Sequence, residues 1–136
     1  MISLTDEVER EELIAQLRAA GVKYNPDGIL GIARLSDGKI VFLEIGNDRS
    51  GWQHIRKKHA NDFANRGLSE NQIIDAVIAA VTRGRFLGTQ GTTRAIYEVQ
   101  FNDETQYISV DIASNGYIVG ANPTKTTLIR RLTQEK

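Results

Sequence analysis

Apolar residues recur with the period of an α-helix close to the N-terminus. Leu13, Ile14 and Leu17 fall on one face of such a helix, after acidic residues that suit the positive end of its dipole. Thr5 is the expected N-cap, and Gly21 follows the last apolar position as a helix stop. We therefore predict a surface helix within residues 1–23.

A second helical pattern lies in the middle of the chain. Trp52, Ile55, His59 and Phe63 are separated by three, four and four residues, so their side chains share one face of a helix. Ser50 stands just before this run and is the expected N-cap. We predict that the apolar members of this face pack on the core and that His59 lies at the rim of a cleft.

The next segment combines a helix start, a wide apolar face and a helix stop. Ser69 and Gln72 have the spacing of a capping box, and Gly84 follows the last apolar position. The apolar positions between them are Ile73, Ile74, Val77, Ile78 and Val81. We predict a third helix that ends at Gly84.

Strand patterns flank these central helices. ILGIARL and KIVFLEIG are joined by SDGK, which predicts a hairpin, and RFLGTQG, RAIYEVQF, QYISVDIA and YIVGA alternate with turns after residue 84. Asn115-Gly116 is the strongest of the turn signals. The alternation gives the later sheet one apolar face and one polar face, the latter carrying Arg94, Glu98, Gln100, Tyr107, Ser109 and Asp111. The predicted fold is α+β, with N-terminal helices packed on one face of a four- to five-stranded antiparallel sheet.

Length and composition favour one globular domain over residues 1–136. The chain has no cysteine, which excludes disulfides and thiolate metal sites, and no apolar run long enough to span a membrane. Basic and acidic residues balance at 17 each, so a surface for nucleic acid requires local segregation of charge. Cations do cluster between residues 49 and 85 and again in a basic tail at residues 124–136. Solvated helix faces are the alternative explanation of both clusters.

The chemistry available to this composition is narrow. His54 and His59 are five residues apart, which separates them by about 140° around a helix and does not fit the metal-binding spacing of four. The chain also lacks a Gly-x-Ser-x-Gly elbow, and its glycine-rich stretch precedes no helix. Acid–base chemistry without metal or cofactor remains. RNA is a substrate that needs only this, because its own 2′-hydroxyl is the nucleophile.

Four segments together resemble a known group of proteins: GKIVFLEIGN, GWQHIRKKHANDFANRGLSENQI, GTQGTTRAIYEVQF and NGYIVGANPT. They are similar to the C-terminal toxin domains of bacterial polymorphic and contact-dependent inhibition systems, within the Barnase–EndoU–Colicin E5/D–RelE group of small RNases. The resemblance covers roughly residues 38–124. It implies helices on an antiparallel sheet, metal-independent RNA cleavage, often of tRNA, and a cognate immunity protein as partner.

The resemblance implies a catalytic set made of helix-borne histidines and a strand arginine. It carries over onto His54, His59 and Arg94, and Tyr97 is added as a neighbour on the same strand. Residues expected to contact RNA or its phosphates are Lys58, Gln90, Thr92 and Asn122. His59 is expected to be the stronger catalytic candidate and the base, with His54 and Lys58 nearer the phosphate. EndoU-type sites have a second histidine on the sheet, and the predicted strands of this chain contain no histidine.

Each catalytic candidate also has a purely structural interpretation. His59 lies on the apolar stripe and would then be a half-buried core histidine, whereas His54 would be an ordinary surface residue. Arg94 would pair with Glu98 on the same sheet face, and Tyr97 would be core with its hydroxyl at the edge. Asn122-Pro123 would be a turn that ends the last strand.

A different class of function competes with the RNase interpretation. The chain would then be a binding module without activity, such as an immunity protein or a phage-encoded adaptor. Immunity proteins to RNases are often acidic, and this chain is neutral with a basic middle, which favours the toxin side. A toxin of this kind is expected to be a monomer, either delivered into the cytoplasm of a target cell or cytoplasmic if it is free-standing.

Overall fold

The computed structural model describes residues 4–134 of the chain. Within these residues it contains four helices and six strands, which confirms the predicted α+β class. In chain order the elements are α1 (Leu4–Ala19), β1 (Ile29–Arg34), β2 (Ile40–Glu44), α2 (Trp52–Ala64), α3 (Glu70–Arg83), β3 (Arg85–Gln90), β4 (Arg94–Phe101), β5 (Glu104–Ile112), β6 (Ile118–Pro123) and α4 (Thr126–Gln134).

The ends of α1 differ in how well local sequence predicts them. The helix begins at Leu4, so Thr5 lies inside it and the prediction of Thr5 as N-cap is wrong. Threonine is tolerated there because the first N–H groups of a helix have no intrahelical partner. The stop at Gly21 is confirmed: its φ is +75°, and its N–H donates to the carbonyl oxygen of Arg18 at 3.1 Å.

The hairpin of β1 and β2 forms as predicted but is a two-stranded sheet of its own. It meets the start of β6 through a bridge between Phe42 and Tyr117, whose rings lie 5.8 Å apart and edge to face. Phe42 also packs with Ile14, Leu17 and Ile29 in a small core that holds α1 on the hairpin. The first third of the chain is therefore fixed to the main sheet near residue 117.

The larger sheet is an antiparallel meander in the order β3-β4-β5-β6. Its apolar face is covered by α2 and α3, as predicted. Side chains with no exposed surface in this layer include Ile55, Phe63, Ile73, Val77 and Val110. Each side chain of this size stabilises the fold by roughly 1.5–3 kcal/mol when fully buried, so this layer is the main core.

Of the N-caps predicted for α2 and α3, the first is wrong and the second is confirmed. The N-cap of α2 is Gly51, with φ +81°, and not Ser50, whose hydroxyl instead forms a 2.9 Å hydrogen bond with the hydroxyl of Tyr117. A Cβ on Gly51 would lie 2.8 Å from that tyrosine oxygen, so the tight turn requires glycine. The capping box of α3 is confirmed, with the Ser69 N–H donating to Oε1 of Gln72 at 2.9 Å.

The polar face of the sheet is not open, because the C-terminal segment folds back over part of it. Residues expected only to form a basic tail make up α4, which buries Ile129 and brings Leu132 onto Gly88 of β3. Ser109, predicted to be on the exposed polar face, has no exposed surface and shares a 2.7 Å hydrogen bond with Thr124. The amphipathic pattern of α4 thus divides the polar face into a covered part and an open edge.

Candidate active site

Helix α2 lies along strand β6 and is attached to it at both ends. The N–H of Gly51 donates to the carbonyl of Val119 at 2.9 Å, and beyond the C-terminal end Nη2 of Arg66 donates to the carbonyl of Thr124 at 2.9 Å. Five residues of helix rise about 7.5 Å, and two residues of strand advance about 6.6 Å. Two side chains five apart on α2 can therefore lie level with residues two apart on β6, although they leave the helix in directions about 140° apart.

His54 occupies the first of these positions, above Gly120. A Cβ placed on Gly120 would lie 3.8 Å from Nε2 of His54 and 3.7 Å from Nη2 of Arg94, so the two side chains are neighbours across this glycine. The other ring nitrogen of His54, Nδ1, is 2.9 Å from the carbonyl oxygen of Asp48. A carbonyl only accepts, so Nδ1 carries the proton and a neutral ring presents its lone pair on Nε2.

Arg94 reaches from β4 across β5 to the side chain of Asn122 on β6. Its Nη1 donates to Oδ1 of Asn122, which in turn donates from Nδ2 to the carbonyl of Pro123 at 2.9 Å. The alternative pairing of Arg94 with Glu98 is wrong, since Glu98 pairs with Arg85 at 3.2 Å. The guanidinium is therefore held at the open edge of the sheet, beside His54.

His59 lies on the far side of Asn122, in a cavity of about 330 Å³. We call this the histidine cavity; its walls include His59, Asp62, Asn65, Arg66, Asn122 and Lys125. Nδ1 of His59 is 2.9 Å from Oδ2 of Asp62, and the side chain is 28% exposed. His59 is thus half-buried and hydrogen-bonded, as its structural interpretation predicted, but it is not enclosed, because it borders a cavity. The carboxylate fixes the ring, and Nε2 is again the free nitrogen.

A second cavity of about 460 Å³ lies between the end of β3 and α4 and shares Lys125 with the first. We call it the α4 cavity; its walls include Gln90, Lys125, Thr127, Leu128, Arg131 and Leu132. The end of β3 is also the strand partner of Arg94, because Gln90 and Arg94 are opposite each other in the ladder. The two cavities therefore adjoin at Lys125, and we refer to them together with the nearby Arg94 and His54 as the cleft.

Three of the predicted residues do not join this cluster. Tyr97 lies on the opposite face of the sheet, packed against the core and edge to face with Phe86 at 6.1 Å. Burial, followed by the negative charge of Asp37, raises the pKa of Tyr97 above its usual value. Lys58 is exposed on α2, and Thr92 is exposed in the turn between β3 and β4. Alternation along β4 explains why Tyr97 faces away from Arg94, since residues three apart on a strand face opposite sides.

The cations between residues 49 and 85 do not line the cleft as a group. Arg66 borders the histidine cavity, but Arg56 pairs with Glu70 at 3.6 Å and Lys57 with Asp48 at 3.3 Å. Arg85 is likewise held by Glu98. Positive charge in the cleft comes from Arg66, from Arg94 and from the C-terminal residues Lys125 and Arg131.

Sequence reasoning missed several residues of the cleft. Asp62 follows His59 at a helical spacing of three, a signal that was present in the sequence and points to a paired side chain. Gly120, Lys125 and Arg66 had no comparable local signal, because their roles depend on how β6 and α4 pack against α2.

Comparisons with known proteins add nothing to this description of the cleft. Comparison with models of known protein families gives no match. A search of curated proteins gives none either. Among the side chains that the structure describes, those of residues 7–133, no three His, Cys, Asp or Glu are grouped as a metal site would require. No helix within residues 4–134 is long and apolar enough to cross a membrane.

The chemical content of the cleft is two oriented imidazoles with a guanidinium and a carboxamide between them. Each histidine has Nδ1 bound to an acceptor, which fixes the ring and leaves Nε2 to exchange a proton. The carboxylate of Asp62 is the partner of His59, whereas His54 lies beside the guanidinium of Arg94. The arrangement thus brings two oriented rings close to a cation and a carboxamide.

Proposed function

We propose that this protein is an endoribonuclease that cleaves RNA by transesterification at the 2′-hydroxyl without a metal ion. The observation that carries the proposal is the Arg94–Asn122 pair, held along β6 with His54 on one side and His59 on the other. A phosphodiester seated on the guanidinium would have an oriented imidazole on each flank. That is the placement that in-line attack and departure require of a base and an acid.

The charges around the two rings suggest their roles. In this proposal His54, whose Nδ1–H is bound to the carbonyl of Asp48, takes the proton of the 2′-hydroxyl on Nε2. His59, whose positive charge Asp62 compensates, gives a proton to the leaving 5′-oxygen. Arg94 stabilises the charge on the phosphorane. The products are a 2′,3′-cyclic phosphate and a free 5′-hydroxyl. The expectation that His59 is the base is thereby reversed.

The resemblance to bacterial toxin domains supports a biological setting for this activity. We propose that the chain acts as a toxin on RNA, with tRNA as the substrate class, in the cytoplasm of a target cell. A cognate immunity protein would then be its partner. The basic wall formed by Lys125, Arg131 and Arg66 suits a polyanion, and binding through phosphates is expected to weaken steeply with salt.

Treatment of total tRNA in excess EDTA tests the proposal. Fragments that end in 2′,3′-cyclic phosphate are expected from the wild-type protein, and the variant Arg94→Ala is expected to leave the tRNA intact. Arg85→Ala is the matched control, because it removes an arginine from the neighbouring strand that is engaged with Glu98. Intact RNA in EDTA with cleavage on addition of Mg²⁺ would overturn the mechanism. Binding of RNA without cleavage under any condition would instead favour a binding module.

A further inference from the structure

Gln90, which lines the α4 cavity, has a side-chain oxygen without a hydrogen-bond partner. Oε1 of Gln90 is buried and unpaired. A buried acceptor without a donor is unfavourable, and native proteins retain few such groups. Because no bond holds this oxygen, turning the carboxamide of Gln90 into the cavity breaks nothing and would gain a bond to any donor that enters.

The cavity around Gln90 combines apolar and charged walls. Leu128 and Leu132 supply apolar surface, while Lys125 and Arg131 supply positive charge. Its volume of about 460 Å³ is within the usual size of sites for small ligands. A ligand that fits these walls has a flat apolar body, polar groups on its edge and a negative charge attached.

The position of the cavity links it to the cleft. Gln90 is the ladder partner of Arg94, so its side chain is on the same sheet face as the guanidinium. Lys125 borders both cavities. A strand of nucleic acid with one phosphate on Arg94 would therefore place an adjoining nucleotide at the α4 cavity.

We propose that the α4 cavity is a nucleobase subsite and that Gln90 is its specificity-determining residue. This inference rests on the proposed function in one respect, which is the placement of a phosphate on Arg94. The base would lie on Leu128 and Leu132, with the flanking phosphate near Lys125 and Arg131. The carboxamide of Gln90 would accept a hydrogen bond from an N–H on the base edge and donate one to a ring nitrogen.

The carboxamide favours a base over a phosphate as its ligand. A phosphate diester offers only acceptors, which leaves Oε1 of Gln90 unpaired, whereas a base edge offers a donor beside an acceptor. Glutamine pairs in this bidentate way with adenine through N6 and N7. We therefore infer that the subsite prefers adenine.

Chimeric oligodeoxynucleotides with a single ribonucleotide provide the test, because cleavage can occur only at that residue. The base on each side of the cleavable bond is varied in turn among adenine, guanine, cytosine and uracil. The wild-type protein is expected to cleave the substrate with adenine at one flanking position roughly tenfold or more faster than the others. Gln90→Leu is expected to abolish that preference, so that the adenine substrate is cleaved no faster than the other three.

Two readouts separate the subsite from a structural role of Gln90. The variant Gln90→Leu removes a buried unpaired oxygen, so its melting temperature is expected to be unchanged or raised. Gln100→Leu is the control, because Gln100 is exposed at the end of β4 that is distant from Arg94, and it donates to Thr105 at 2.7 Å. A Gln90→Leu variant with the wild-type base preference overturns the proposal. A uniform loss of rate on all substrates together with a lowered melting temperature also overturns it.

Binding of all-deoxy tetranucleotides distinguishes failure of the subsite from failure of the proposed RNase activity. These ligands have no 2′-hydroxyl and cannot be cleaved, so fluorescence anisotropy reports binding alone. Tighter binding of the adenine-containing ligand that Gln90→Leu removes supports the subsite even if no RNA is cleaved. Cleavage of RNA combined with equal binding of all tetranucleotides by the wild-type protein retains the RNase and overturns the subsite.

Discussion

The two faces of the four-stranded sheet differ in polarity and in exposure to solvent. The face under α2 and α3 is closed and apolar, with Phe63 and Val110 fully buried. The other face has a partly open edge where polar side chains hold one another, as Arg94 and Asn122 do, and where Gln90 keeps an unpaired oxygen. The first face stabilises the fold and carries little chemistry. We expect the second face to contribute less to stability, and the polar side chains of the cleft border its open edge.

This contrast is sharpest for the histidines, where the largest effects on activity are expected. His54→Ala and His59→Ala should each lower RNA cleavage by roughly 10²–10⁴-fold, because each removes a positioned acid or base. Circular dichroism should show that both variants stay folded. A substrate with sulfur in place of the leaving 5′-oxygen needs no protonation. It should restore cleavage by His59→Ala and not by His54→Ala. Rescue of His54→Ala instead would reverse the assigned roles.

Substitutions on the closed face should lower the stability of the protein. Phe63→Ala is expected to lower the free energy of unfolding by about 3–5 kcal/mol, because it leaves a cavity in the main core. Phe86→Ala is the matched control, since Phe86 is 58% exposed, and its loss is expected to be well below that of Phe63. Urea titration followed by circular dichroism measures both. Similar losses for the two variants would contradict the division into a stabilising and a functional face.

Arg94 should show the opposite pattern to Phe63. Arg94→Ala is expected to lower cleavage by roughly 10²–10³-fold, because it removes the cation that stabilises the phosphorane. Its free energy of unfolding should fall by only about 1 kcal/mol, the contribution of one hydrogen bond. Single-turnover cleavage and urea titration of the same preparation give both numbers. A variant with full activity and a large loss of stability would make Arg94 a structural residue.

Tyr97 should have the smallest effect, although the sequence placed it in the catalytic set. It lies on the closed face, so Tyr97→Phe is expected to keep the wild-type cleavage rate at neutral pH. The folded protein holds the pKa of Tyr97 above its usual value by burial, so the folded state binds this proton more tightly than the unfolded state does. Stability should therefore fall as pH rises above about 10, the ordinary tyrosine value.

The variant tests this pH dependence directly. Tyr97→Phe should lose less free energy of unfolding between neutral and strongly alkaline pH than the wild-type protein does. An identical alkaline loss in both proteins would assign the effect elsewhere, for example to Tyr107, whose pKa is raised first by burial and next by the charge of Glu98. A large loss of cleavage in Tyr97→Phe at neutral pH would place Tyr97 back in the site.

Local signals account for the elements that the sequence predicted correctly. The stop at Gly21, the capping box of Ser69 and Gln72 and the end of α3 at Gly84 each depend on a few consecutive residues. The strands were predicted because side chains alternate with a period of two whatever the strand packs against. The prediction of Ser50 as N-cap failed because Gly51 takes the cap position and the Ser50 hydroxyl bonds to Tyr117, whereas Thr5 lies within α1.

Local patterns were sufficient to predict the α+β class, the helix and strand periods and the candidates His54, His59, Arg94 and Asn122. Which of these candidates meet depends on the packing of the folded chain. Arg94 and Asn122 are 28 residues apart in sequence and touch because the ladder of β4, β5 and β6 sets their register. The same is true of α4, whose period indicates a helix but not the sheet face that it covers. Periodicity is a property of short segments, whereas a site depends on the packing of segments that are distant in sequence.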